Sequence, residues 1–226
     1  LPQAFVKMAE SDYQYKDKQY SVTSLLRGVR ETILMRRHHG SMEQDVSDMI
    51  WMLFGTAVHS VLESQEEGDM EFKEEYLKVP MPNGYTLSGR LDLYNAKTKT
   101  VIDYKTCSTW KIIFGDYEDW KRQLLIYAYM LKRIGFEVEK GQVIALLKDH
   151  TKSQVSRKAD YPELPVQKIA FDFTDKDFAE IENWLNSKFN EIQKAEQIPD
   201  DELPLCTLEE RFNDGDKYAV MQKGRK

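Results

Sequence analysis

Two aspartates and one lysine within residues 89–105 are the side chains of this sequence with the clearest capacity for chemistry. Runs rich in Leu, Tyr, Val and Ile flank a polar segment, a pattern typical of two antiparallel strands joined by a short loop. With a loop at Ala96–Lys99, Asp92 lies opposite Asp103, and Lys105 shares the face of Asp103 because side chains alternate along a strand. The same register predicts Asn95 opposite Thr100, Leu93 opposite Ile102, and an apolar core face made of Leu91, Leu93, Ile102 and Tyr104.

Opposed carboxylates roughly 5 Å apart at Cβ are stable together if they share a proton or bind a cation. Mg²⁺ or Mn²⁺ suits such a pair, since both ions prefer oxygen ligands and keep waters that leave room for a substrate phosphate. An ammonium at Lys105 would hold or activate a water and offset charge on a phosphoryl oxygen. The alternative is an ordinary hairpin with solvated Asp and Lys side chains, and a register slip of one residue would turn one Asp toward the core.

Size and composition predict a single globular domain of 226 residues, with 41% hydrophobic residues available for a core. No apolar run of 18 residues and no leader pattern occurs, so we expect no membrane span and a cytoplasmic protein. Two cysteines, Cys107 and Cys206, predict neither a disulfide framework nor an iron–sulfur cluster, which normally takes four thiolates. A net charge of −6 argues against nucleic-acid binding by bulk electrostatics but leaves room for a local basic groove.

Two predicted helices carry further candidate residues. In the helix predicted over 42–65, Gly55, His59 and Glu63 lie four residues apart on one stripe. His59 is either a residue at the core boundary or, with Gly55 permitting close approach, a ligand. In the helix predicted over 116–134 and closed by Gly135, Gln123 and Tyr127 project from one face, with a core-edge role as the alternative.

The remaining pattern predicts alternating strands and helices. A strand, helix, strand order after Val101 favours parallel pairing. The predicted elements are an irregular segment over 1–20, a helix begun by Ser21–Ser24 and ended by His38–Ser41, strands Tyr76–Val79, Gly141–Lys148 and Gln167–Phe173, a connection Thr106–Gly115, a basic loop Asp149–Pro165 and a helix Thr174–Lys194.

Taken together, these motifs resemble the PD-(D/E)xK nucleases, in particular the RecB-type exonuclease branch. The resemblance lies in a His on a helix, an Asp on one strand, Asp-x-Lys on the next, and Gln-x-x-x-Tyr on the following helix, over residues 20–226. Cys206–Arg211 and Lys217–Met221 further resemble bacteriophage and mitochondrial-type members. The sequence departs from the family pattern at Leu91, where a proline is usual. The residues that carry the resemblance are His59, Asp92, Asp103, Tyr104, Lys105, Gln123 and Tyr127.

The resemblance implies a restriction-endonuclease-like α/β core over about 45–195, within one domain over 21–226 that ends in a basic tail over 206–226. It implies metal ligands at His59, Asp92, Asp103 and the Tyr104 carbonyl, and a catalytic base or water-positioning cation at Lys105. Gln123 and Tyr127 would orient the lysine or contact DNA. Together with these two residues, the predicted nucleic-acid contacts are Thr106, Lys111 and Arg122, and the aromatic residues Trp110, Phe114, Tyr117 and Trp120 either stack on a single-stranded end or pack.

The implied function is a Mg²⁺- or Mn²⁺-dependent DNA exonuclease acting on ends or single-stranded segments, in phage-type recombination, repair or degradation. A recombination or single-strand-binding protein is the expected partner, and the oligomeric state is left open. The compartment would be the cytoplasm, that of the host for a viral protein, or the mitochondrion for a eukaryotic one. The alternatives are a catalytically silent nucleic-acid-binding module of the same fold and a hydrolase of small phosphate esters.

Overall fold

The computed structural model describes residues 2–9, 14–43, 45–63, 68, 70–208 and 210–211. The strands are β1 Gln19–Ser21, β2 Glu71–Lys73, β3 Tyr76–Pro80, β4 Thr86–Arg90, β5 Leu93–Asn95, β6 Thr100–Cys107, β7 Lys140–Leu147 and β8 Val166–Asp172. The α-helices are α1 Gln3–Ala9, α2 Val22–Leu25, α3 Val29–His38, α4 Ile50–Glu63, α5 Thr109–Phe114, α6 Glu118–Arg133, α7 Lys152–Val155 and α8 Asp175–Ala195. Short 3-10 helices lie at His39–Ser41, Val46–Met49 and Pro82–Gly84.

The strands form a five-stranded mixed sheet and a smaller three-stranded sheet. The larger sheet has the order β2-β5-β6-β7-β8, in which β6 and β7 are parallel and the other neighbours antiparallel. The smaller sheet has the order β1-β4-β3, with β1 parallel to β4. Helix α6 joins β6 to β7 and packs on both, and α8 packs on α6. The predicted α/β class, with a mixed central sheet flanked by helices, is confirmed.

The hairpin of β5 and β6 has the register that the sequence predicts. Leu93 pairs with Ile102, and Asn95 pairs with Thr100. The residues between the two strands form the predicted turn. The ladder stops at Leu93, so Asp92 lies just outside it, at the point where the chain enters β5.

The main core lies on the same face of the sheet as Asp103, which corrects the predicted assignment of faces. Val143, which pairs with Asp103, and Ala145, two residues farther along that face, are completely buried. Of the four residues predicted to line the core, Leu91 and Leu93 are buried, whereas Ile102 and Tyr104 are only half-buried. The reason is that both faces are covered: α6 packs over the first, and the shorter, less tightly packed α4 contacts β6 on the other. Asp103 is therefore a carboxylate at the edge of a hydrophobic core.

The amino-terminal part of the chain is more regular than predicted. The segment predicted to be irregular contains α1 and, at its end, β1. Ser21 caps α2 as predicted, because its side chain accepts a hydrogen bond from Ser24 N at 3.2 Å. The single helix predicted beyond Ser21 is divided into α2 and α3 before Val29, with Gly28 as the N-cap of the second. Helix α4 begins at Ile50, after a separate 3-10 turn, rather than at residue 42.

Two predicted loops also contain helices. The connection predicted after Lys105 holds the end of β6 and all of α5, because Ser108 accepts a hydrogen bond from Trp110 N and so caps a helix. The basic loop after Lys148 holds α7. Helices α6 and α8 match prediction: Gly135 has a φ of 99° after the first, and Thr174 forms a capping box at the start of the second.

The part of the chain that the structure describes contains no helix long and apolar enough to cross a membrane. Most of the basic tail predicted over 206–226 lies outside the described residues, which end at residue 211.

Candidate active site

Three potential metal-binding side chains converge where α4 approaches the two sheets. Ligand atoms of His59, Glu74 and Asp92 all lie within 4.8 Å of one another. His59 Nδ1 lies 3.6 Å from Asp92 Oδ2, and the His59 ring meets the edge of the Tyr104 ring at a centroid distance of 6.3 Å. All three side chains are partly accessible. We call His59, Glu74 and Asp92 the acidic cluster.

Two bends in the β structure position the acids of this cluster. Glu74 lies between β2 and β3, and Asp92 lies between β4 and β5, so both occupy the points where the chain passes from one sheet to the other. The bends are tied together by Glu74 N, which donates to Asp92 O at 3.1 Å, and by Leu91 N, which donates to Glu75 O at 3.1 Å. Glu74 has a φ of 52°, in the left-handed region that non-glycine residues seldom occupy outside turns and functional sites.

A second group surrounds Asp103, which is 4% exposed. Lys105 Nζ lies 2.8 Å from Asp103 Oδ2 and donates to Oδ1 at 3.1 Å, while Gln123 Nε2 donates to the same Oδ1 at 3.1 Å. Despite the near ammonium, Oδ2 has no hydrogen bond of acceptable geometry among the described residues. Asp103 thus has one oxygen fixed by two donors and a second, buried oxygen that lies next to the Lys105 ammonium. We call Asp103, Lys105 and Gln123 the lysine group.

The acidic cluster and the lysine group are electrostatically joined. Asp92 Oδ2 accepts a hydrogen bond from Tyr104 N at 2.7 Å, which holds Asp92 against β6. Burial, followed by the charge of Asp103, raises the pKa of Asp92 to about 6, although the Tyr104 N–H, His59 and Lys105 act in the opposite direction. Three carboxylates of the two groups thus face one ammonium and one imidazole, an excess of negative charge that a bound divalent ion would relieve.

The buried Tyr127 side chain lies close to the carboxylates of both groups. Its hydroxyl donates to Arg90 O at 2.8 Å, and burial together with the charges of Asp103, Asp92 and Glu74 raises its pKa, so it is a neutral phenol. Gly89 permits this arrangement, since a Cβ there would lie 2.8 Å from both Tyr127 Cε1 and Val22 Cγ2.

The donor set fits a hard divalent cation. The cluster offers two carboxylates and one imidazole, and Asp103 offers a carboxylate oxygen without a hydrogen bond. Among the predicted ligands, His59, Asp92 and Asp103 are brought together, although Asp103 is engaged by Lys105. The carbonyl of Tyr104 stays a predicted ligand.

The two motif residues on α6 have hydrogen-bond partners other than the expected lysine. Gln123 donates to Asp103 rather than to Lys105, and Tyr127 donates to the backbone of Arg90. Both side chains therefore reach the site, but they fix the carboxylate and the β4 backbone. Their predicted DNA contacts stay predictions.

Two of the other predicted DNA contacts point elsewhere. Lys111 Nζ pairs with Asp119 at 2.9 Å and lies over the Trp120 ring. The Arg122 guanidinium lies over the Trp184 ring of α8, because Arg122 is turned about 100° around the helix from its neighbour Gln123. Neither of these contacts joins the acidic cluster. Thr106, in contrast, lies beside α4, with its Oγ1 3.3 Å from the place a Cβ on Gly55 would take.

Sequence reasoning missed Glu74. It lies within an acidic run, where a single carboxylate carries no distinguishing signal. The informative feature is its place just before β3, whose partner strand β4 leads directly to Asp92. A prediction of that pairing would have placed a third acid opposite Asp92.

Comparison with known proteins agrees with this fold. The sequence model of the PD-(D/E)XK nuclease superfamily matches residues 56–208, a span that includes every member of the acidic cluster and the lysine group. The chain belongs to the PD-(D/E)XK nuclease superfamily. No curated protein sequence matches it closely enough to be reported as a relative.

Solved structures support the same fold at low sequence identity. The crystal structure of SSO0001 superposes with a TM-score of 0.58 and 18% identity, covering 83% of this chain and 82% of that one. The alkaline exonuclease LHK-Exo from Laribacter hongkongensis superposes with a TM-score of 0.50 and 14% identity, covering 78% of this chain and 89% of that one. At these identities the likeness concerns the fold.

Proposed function

We propose that this protein is a metal-dependent exonuclease of the RecB-type branch that hydrolyses phosphodiester bonds at DNA ends. The observation that carries the proposal is the convergence of the acidic cluster and the lysine group, within a chain that belongs to a nuclease superfamily. Three carboxylates, one imidazole and one ammonium at a single site form a donor set suited to phosphate chemistry.

His59, Glu74 and Asp92 would hold Mg²⁺ or Mn²⁺, and Asp103 Oδ2 would join them by exchanging its contact with Lys105 for the ion. When bound, such an ion lowers the pKa of water and neutralises charge on the phosphate. Lys105 supplies a second positive charge beside the scissile phosphate and orients the attacking water. Gln123 keeps the Asp103 carboxylate in place, so Lys105 has a fixed partner. Thr106, next along β6, would contact a neighbouring phosphate.

Action on ends and on DNA rests on the resemblance of the motifs and on the superfamily to which the chain belongs. LHK-Exo, an alkaline exonuclease, shares the fold. The proposed setting is phage-type DNA recombination, repair or degradation, with a recombination or single-strand-binding protein as partner. The site residues sort into phosphate and metal contacts, so sequence-specific digestion is not expected.

The test is digestion of end-labelled linear DNA and closed circular DNA with Mg²⁺, Mn²⁺ or EDTA. We expect metal-dependent loss of the linear DNA by the wild type, none by Lys105→Ala, and full activity in the matched control Lys132→Ala, which removes an exposed lysine located over Phe178. Sparing of the circle identifies an exonuclease. A wild type that cleaves no DNA with either metal contradicts the proposal. If it hydrolyses small phosphate esters instead, the protein is a hydrolase of those esters.

A further inference from the structure

Helix α4 carries a stripe of side chains that continues beyond the proposed active site. His59, Gly55 and Trp51 are spaced by four residues and so lie on one face. His59 contacts the acidic cluster, Gly55 adjoins Thr106, and the Trp51 ring lies under Lys148 Nζ at 4.3 Å from its centroid. The stripe therefore leads from the metal ligands past the end of β6 to an aromatic residue about 12 Å from His59 along the helix.

Trp51 is 59% exposed, although it is among the largest apolar side chains of the protein. The Phe54 ring meets it edge-on, with ring centroids 6.3 Å apart. Lys148 follows β7, and its backbone N–H donates to Cys107 O at 3.0 Å, so this lysine is anchored at the carboxyl ends of the two central strands. A flat exposed ring with an ammonium above it combines a stacking surface for a base with a charge for a phosphate.

A second pair of the same kind lies on α5, which begins where β6 ends. Trp110 is 51% exposed and stacks on Phe114, with ring centroids 5.7 Å apart and planes inclined by 25°. Lys158 Nζ lies 5.2 Å from the centroid of the Trp110 ring. Helix α5 is fixed in place because Asp149, next to Lys148, accepts hydrogen bonds from Ser108 Oγ and from the Thr109 N–H and hydroxyl.

The charge around these rings suits a polyanion. Residues 148–158 contain four basic side chains and one acid, and the oxygens of that acid, Asp149, are occupied by neutral donors. The remaining aromatic residues predicted to stack behave differently: Trp120 is buried, and Tyr117 packs parallel to it at 5.3 Å. Exposed rings thus occur, at the ends of β6 and β7, together with lysines that have no ion pair among the described residues.

We infer that Trp51 with Lys148, and Trp110 with Lys158, form a stacking platform that binds unpaired bases and phosphates of single-stranded DNA next to the active site. This inference rests on the proposed function and assigns its substrate form: a single-stranded segment reaches the metal site across the platform. The distance of about 12 Å from Trp51 to His59 corresponds to three or four base steps of a B-form strand.

The test measures binding in EDTA, so that it is independent of cleavage. A fluorescent single strand of roughly 12 nucleotides, within the usual site size of single-strand-binding proteins, is titrated with each variant and followed by anisotropy. We expect Trp51→Ala to weaken binding about 10-fold or more, Trp51→Phe to restore most of it, and Trp110→Ala to weaken it severalfold. Lys148→Ala should reduce the slope of log K against log salt by about 0.7.

Two matched controls make the measurement specific. Met52→Ala removes a side chain that is 55% exposed on the same helix but is turned away from the stripe, and Lys132→Ala removes another lysine that lies over an aromatic ring. Both should bind the strand as the wild type does. Equal binding by Trp51→Ala and Met52→Ala, or equal affinity of the wild type for a closed duplex hairpin, would overturn the inference. The proposed function is judged separately, by cleavage of DNA in the presence of metal.

Discussion

The acidic cluster and the lysine group lie side by side, but the negative charges of their carboxylates are compensated in different ways. Asp103 is the more deeply buried acid, and the protein supplies its counter-charge through Lys105. Asp92 is more accessible. The Tyr104 N–H, His59 and Lys105 act to lower its pKa, but burial and the charge of Asp103 prevail and raise it to about 6. The charge of Asp103 is thus compensated by Lys105, and in the proposed function a divalent cation from solution would compensate the acidic cluster. This contrast supports placing the metal ion at the acidic cluster.

Removal of Lys105 should have the largest effect on catalysis and little effect on metal binding. We expect Lys105→Ala to lower the rate of DNA cleavage by about 1,000-fold, because a positioned charge beside the phosphate is lost. Calorimetric titration with Mn²⁺ should show an affinity within about threefold of the wild type. A large loss of metal affinity would instead show that the lysine group and the acidic cluster bind the metal together.

Removal of an acid from the cluster should act on metal binding. We expect Asp92→Asn and Glu74→Gln each to weaken Mn²⁺ binding by about 10- to 100-fold. Glu75→Gln is the matched control, since Glu75 is the adjacent exposed acid and contributes only its backbone oxygen to this junction. Equal affinity of Glu74→Gln and Glu75→Gln would remove Glu74 from the ligand set.

A substitution at Gly89, which lies against the Tyr127 ring, should affect stability. We expect Gly89→Ala to lower the free energy of unfolding by about 1–3 kcal/mol, because its Cβ would lie 2.8 Å from Tyr127 and Val22. Gly40→Ala serves as the control, since a Cβ there meets nothing within 4 Å among the described residues. Urea unfolding measures both. Similar midpoints for the two variants would show that Tyr127 can move aside.

Asp149 extends the comparison to a carboxylate that is held by neutral hydrogen-bond donors. We expect its substitution to have the smallest effect of those considered. Burial acts to raise its pKa, but hydrogen bonds from Thr109 and Ser108 prevail and lower it to about 2. The stabilisation is then present above the unfolded pKa near 4 and is lost as the pH falls from about 4 toward 2. We expect the difference in urea midpoint between the wild type and Asp149→Asn to be full at pH 7 and to vanish near pH 2. A difference independent of pH would contradict this assignment.

The hairpin could be predicted because its signals are local. Strand period and loop chemistry determine that Leu93 faces Ile102, and they therefore bring Asp92 near Asp103. Gln123 and Tyr127 could be placed on one helical face by spacing alone. Glu74 could not, since its role depends on the pairing of β3 with β4 and on the passage of both strands from one sheet to the other.

The sequence also could not predict which face of the sheet is buried more deeply or which residues the individual basic side chains contact. Asp103 was expected opposite the core, but with helices on both faces the alternation of side chains does not reveal which face is buried more deeply. Arg122 and Lys111 were predicted because they are interleaved with aromatic residues in the sequence. The structure instead engages them with Trp184 and Asp119, whereas Lys148, from a distant segment, meets Trp51.

The position of the acidic cluster at the passage between the sheets has a mechanical consequence. Glu74 and Asp92 lie where two neighbouring strands leave one hydrogen-bonded unit and enter the other. An ion held by both would act as a reversible cross-link between these units, and its binding energy would count toward their cohesion as well as toward chemistry. A chelator would then loosen the joint between the sheets while leaving each sheet intact.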